Sequence, residues 1–69
     1  MSALEMQVGG NHYKGKKIQP WEIINANELD YYEGNALKYL LRHRSKNGKE
    51  DLLKALHYIE AIIEFEYGE

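Results

Sequence analysis

Apolar residues recur at helical spacing along most of this chain, and no segment keeps up a period-2 alternation. The clearest run lies near the C-terminus. Leu52, Leu56, Ile59 and Ile63 fall at i, i+4, i+7 and i+11, and Leu53, Ile62 and Phe65 widen that stripe beyond a single seam. The pattern predicts a helix over 49–67, with Glu50 and Asp51 in its first turn, where the helix dipole favours acids, and Gly68 at its end. Upstream, Leu37, Leu40 and Leu41 predict a second helix over 31–45 with those leucines turned inward. Asp30 and Glu33 stand at its start in capping-box spacing, and Asn47-Gly48 stops it. Pro20 suits the first position of a shorter helix over 19–28 that carries Trp21, Ile23 and Ile24. Residues 1–18, punctuated by Gly9, Gly10 and Gly15, read as an irregular arm with room for a short strand at 6–8 or 17–18. The expected architecture is a single mainly all-α domain over 1–69: a Gly-rich arm and three helices.

Length sharpens this picture. A 69-residue chain buries only ~60% of its unfolded surface. With no cysteine there is no disulfide framework, zinc ribbon or thiol nucleophile. An unassisted core of this size rarely supplies more than about 3–5 kcal/mol. The third helix is apolar over more of its circumference than two short helices can cover. A homo-oligomer is therefore expected, with Leu52, Leu56, Ile59, Ile62 and Ile63 at the interface. No run approaches the roughly 20 apolar residues of a membrane span, and residues 1–8 have no basic segment of a signal peptide, so a reducing, cytoplasmic setting is expected.

Charge is unevenly distributed. Residues 14–49 hold eight of the nine Lys/Arg against four acids, a balance of +4, and residues 50–69 hold six acids against one Lys, a balance of -5. The basic middle is a candidate anion site. The net charge of -2 weighs against a nucleic-acid partner. Two elements carry the cations. In the arm, Gly10 to Lys17 has the Gly-x4-Gly-Lys spacing of a P-loop but ends in Lys17 rather than Ser or Thr, with Ile18-Gln19-Pro20 before any helix. His12, Tyr13, Lys14, Lys16 and Lys17 can still close over phosphates through ammonium groups and backbone N–H groups; the alternative is a solvated arm. On the second helix, Asn35, Lys38 and Arg42 share one face, and Tyr39, His43 and Lys46 an adjacent one. Arg42 offers a planar fork for phosphate, Lys38 a point charge, and Tyr39 a ring on which a base could stack. The alternative is a solvated exterior paired to acids such as Glu50 and Asp51.

Trp21 is read first as the anchor of the first helix and second as a base-stacking ring. His57 is read as a core or interface residue, and Lys54 either pairs with Asp51 or faces the ligand groove. His12, His43 and His57 lack zinc-ligand spacing. No metal, cofactor or catalytic constellation is expected, and whether the chain has an enzymatic activity stays open.

His12-Tyr13, Pro20-Trp21-Glu22-Ile23-Ile24, the string from Gly34 to His43, that from Lys46 to Ala55, and Tyr58 together resemble the SaV-like phage family. That small domain of unknown function is similar to the C-terminal part of the T7-type phage nucleotide kinase. The resemblance covers residues 9–58. It implies an oligomeric phage protein of the host cytoplasm that handles nucleotides. Three functions are weighed: binding of nucleotide phosphates, with sequestration of a nucleotide signal of host antiviral defence; nucleoside monophosphate kinase activity; and inhibition of a host factor by protein–protein contact.

Overall fold

The computed structural model describes residues 18–68, which form three helices: α1 (Pro20–Ala26), α2 (Tyr31–Arg42) and α3 (Lys49–Tyr67). Pro20 opens α1, and the Glu22 carboxylate accepts the Gln19 backbone N–H at 3.4 Å. α1 stops two residues short of the expected 28. Glu28 turns into the left-handed region (φ 51°), its N–H reaches the Asn25 carbonyl, and the Leu29 N–H reaches the Ile24 carbonyl. That bonding pattern closes a helix C-terminus. α2 begins with a reciprocal capping box: the Glu33 N–H donates to Asp30 Oδ1 at 2.8 Å, and the Asp30 N–H donates to Glu33 Oε1 at 3.1 Å. It ends at Arg42 rather than at 45. Residues 43–48 leave the helix as a turn held by the Ser45 N–H on the Arg42 carbonyl and the Gly48 N–H on the His43 carbonyl.

α2 and α3 pack antiparallel. Arg42, at the end of α2, meets Asp51 at the start of α3, and Tyr32, at the start of α2, meets Phe65 near the end of α3. The contact is mainly aromatic. Tyr39 stacks on Tyr58 (ring centroids 6.0 Å apart, planes 12° apart), Tyr31 and Tyr32 meet Tyr58 at 6.1 and 6.4 Å, and Tyr32 meets Phe65 at 5.1 Å. α1 lies against α2 at Gly34, where an added Cβ would stand 3.3 Å from Ile24 Cδ1.

On α3 the contact line runs through Asp51, Ala55 and Tyr58, and half-buried Ile62 continues it at helical spacing. Leu52, Leu56, Ile59 and Ile63 each follow one of those residues, so they sit ~100° further round the helix, and all four are exposed. Leu40, expected to point inward, is 52 % exposed. It stands one residue beyond Tyr39, which is the residue that faces α3. Among the described residues Ala55 and Pro20 are the buried apolar side chains, and no Leu, Ile or Phe is fully buried. The expected strand at 6–8 lies outside the described residues, as does Lys17; Ile18 is in a bend.

Gly48 is the conformational pivot of the hairpin. Its φ of 57° and ψ of -126° are open to glycine and strained for any residue with a Cβ. No atom lies within 4 Å of the place a Cβ would take, so Gly48→Ala isolates the backbone cost. A loss of about 1–3 kcal/mol is expected, measured by denaturant unfolding.

Candidate functional site

Asp51 organises the α2–α3 turn. It is fully buried (0 % exposed) and accepts three N–H groups: Arg42 Nε on Oδ2 at 3.2 Å, Arg42 Nη2 on Oδ1 at 3.2 Å, and the Asn47 backbone N–H on Oδ2 at 3.0 Å. Burial pushes its pKa up, but the Arg42 hydrogen bonds, the Asn47 N–H and the Arg42 charge outweigh burial and hold it below the ordinary value of 3.8. The sequence left Arg42 between phosphate ligand and partner of a nearby acid. Its guanidinium is engaged with Asp51, lies 4.9 Å from the centre of the Tyr39 ring, and is 18 % exposed.

Beside this pair, α2 and α3 frame a groove of about 340 Å³ lined by Tyr39, Glu50, Leu53, Lys54, His57 and Tyr58. Glu50, Lys54 and His57 each precede a residue of the α3 contact line, so they project on the side opposite the Leu52–Ile63 stripe. Lys38 precedes Tyr39 on antiparallel α2, and the same backward step turns it to the groove side. The Lys54 ammonium sits 5.3 Å from the Tyr39 ring centre and 3.8 Å from the Glu50 carboxylate. That exposed pair contributes little to stability and leaves the ammonium beside the aromatic wall. A hydrogen bond to Tyr31, with burial and the neighbouring phenols, raises the Tyr58 pKa above 10.0.

Of the sequence-derived set, Tyr39 lines the groove, and Arg42 lies against the Tyr39 ring while bound to Asp51; Lys38 is exposed one step back from Tyr39. Asn35 spends its amide on the Tyr31 carbonyl at 2.8 Å. His43 and Lys46 belong to the turn, half-buried and exposed respectively. Trp21 is half-buried in α1. His12, Tyr13, Lys14, Lys16 and Lys17 lie outside the described residues. His57, expected in a core or interface, is exposed and lines the groove. Lys54 pairs with Glu50 rather than Asp51, because Arg42 takes both carboxylate oxygens of Asp51. Glu50, Lys54 and His57 recur at i, i+4 and i+7, a signal of a shared face that was present in the sequence. Among the described residues no three His, Asp or Glu gather as a metal site, and no helix is long and apolar enough to cross a membrane.

No curated protein and no solved structure matches the chain. Residues 8–60, most of its length, match the family described as a protein of unknown function (DUF3310), and the chain belongs to that family.

Proposed function

We propose that this chain binds nucleotide phosphates in the α2–α3 groove. The observation that carries the proposal is the Lys54 ammonium beside the Tyr39 ring in a groove walled by Tyr39 and Tyr58; helical geometry turns Lys38, one step back from Tyr39 on α2, to the same side. A base fits against the apolar floor of Leu53 and the phenol rings, and the ammonium groups meet the phosphates. The likeness of residues 9–58 to the SaV-like phage family, and through it to the C-terminal part of a phage nucleotide kinase, supports nucleotides as the ligand class. The same likeness supports a phage protein that works in the host cytoplasm, and the small size of the chain together with a phage origin supports sequestration of a nucleotide signal of antiviral defence. Sequestration needs tight retention without turnover.

Equilibrium dialysis of the full chain against nucleoside mono-, di- and triphosphates and cyclic dinucleotides tests the reading. Retention is expected for at least one of them, with the ligand recovered intact after denaturation. Lys54→Ala and Lys38→Ala should each weaken retention by about tenfold or more, as expected for loss of a charge-assisted contact. No retention of any nucleotide, or retention indifferent to both substitutions, would overturn it. Conversion of a monophosphate to a diphosphate with a triphosphate donor would instead assign the kinase activity. A second reading, inhibition of a host protein by direct contact, is favoured by the exposed apolar residues of α3. It predicts a polypeptide partner whose binding ignores Lys38→Ala.

A further inference from the structure

The exposed stripe of α3 has a geometry that selects its occupant. Leu52, Leu56, Ile59 and Ile63 alternate spacings of four and three, which is the a/d seam of a helix that packs on another helix. The seam lies ~100° from the line that meets α2. Leu40 on α2 lies one residue beyond the same line, so on the antiparallel hairpin it projects to the same side. Two neighbours at about a right angle are what a helix has in a four-helix bundle. A second hairpin laid on this face completes one.

We propose that the partner is a second copy of this chain, its α3 antiparallel to the first about a two-fold axis at the level of residues 57 and 58. In that register Leu56 of one copy packs against Ile59 of the other, and Leu52 against Ile63. The next seam positions outward are Lys49 and Glu66, and antiparallel pairing sets Lys49 of each copy against Glu66 of the other. Parallel pairing would set Lys49 against Lys49 and Glu66 against Glu66, two like-charge contacts. The wider charge distribution agrees. The basic turn of one copy (Arg44, Lys46, Lys49) approaches the acidic end of the other (Glu64, Glu66). Among the described residues neither Lys49 nor Glu66 has an ion pair within the protomer that would compete. The interface is isologous: the same patch serves both partners and closes at two. It leaves the groove open on the other side of α3 and does not depend on what the groove binds.

The chain has no cysteine, so engineered thiols report pairing without background. Lys49→Cys and Glu66→Cys lie 17 positions apart on one helix, roughly 25 Å at the helical rise, too far for a disulfide within a protomer. Under mild oxidation, an equal mixture of the two single variants should form a covalent species of twice the 8.1 kDa protomer, and neither variant should do so alone. Sedimentation of uncrosslinked chains should show a dimer whose dissociation constant rises about tenfold in Lys49→Glu and in Glu66→Lys and returns toward the starting value in the double swap. Disulfide formation by Lys49→Cys alone would overturn the antiparallel register. A full chain that sediments as a monomer at its solubility limit would overturn the dimer. That result points to cover of the stripe within one chain, and it leaves the nucleotide reading untouched.

Discussion

Asp51→Asn should lower the thermal midpoint by at least ~10 °C, a large loss for an isosteric change. The carboxylate accepts three N–H groups, two from Arg42 and one from Asn47. An amide has one oxygen to offer, presents its own N–H groups to the largely buried guanidinium and takes away the charge of Asp51. The pair fixes the turn more than it adds net stability. Buried ion pairs gain little over apolar replacements of the same shape, but here an apolar residue at 51 would also leave the Asn47 N–H without its acceptor. Arg42→Lys, which keeps the charge and loses the fork, should fall between wild type and Asp51→Asn. Acid titration adds a second readout. The folded pKa of Asp51 lies below its ordinary 3.8, so its contribution is complete above that value and is lost as the pH falls through the lower folded value. The stability difference between wild type and Asp51→Asn should be flat at neutral pH and shrink only under pH 4. A wild-type midpoint in Asp51→Asn would remove Asp51 as the organiser of the hairpin.

The helices were legible because their signals are local. Pro20, the Asp30–Glu33 box and Asn47-Gly48 each act within one turn of backbone, and the three helices begin where those residues set their starts. The orientation of each helix was harder to read, because it depends on the neighbour it meets. Leucine spacing suggested that Leu37, Leu40 and Leu41 face inward, whereas α2 meets α3 through Tyr32, Tyr39 and Arg42. A signal for that seam did exist: Tyr32 and Tyr39, like Tyr58 and Phe65, are seven residues apart, two turns along one face. The Arg42–Asp51 pair spans nine positions and the turn between two helices. Local pattern names both residues and cannot choose between Glu50 and Asp51 as the acid that turns inward. The groove has the same origin. Glu50, Lys54 and His57 share a face by spacing alone, but only the antiparallel docking of α2 brings Tyr39 to that side.

Folding and pairing should be one event in this chain, so its thermal midpoint should depend on its concentration. Ala55 and Pro20 are the buried apolar side chains of the described protomer, and Leu52, Leu56, Ile59 and Ile63 stand in water along one line of α3. Ordering a residue costs about 1–2 kcal/mol of backbone entropy, and a protomer with so little apolar surface out of water has little to set against that. Burial of the stripe against its symmetry mate supplies the missing term at ~25 cal/mol per Å². For a dimer whose subunits unfold as they part, each tenfold dilution should lower the midpoint by about 3–6 °C, read by calorimetry or far-UV circular dichroism across two decades of concentration. Leu56→Asp with Ile59→Asp, which puts carboxylates at the central layer, should unfold the chain at concentrations where wild type is folded, because an unpaired charge cannot enter a dry seam. A concentration-independent midpoint, with the double variant folded as wild type, would mean that the protomer stands without its mate.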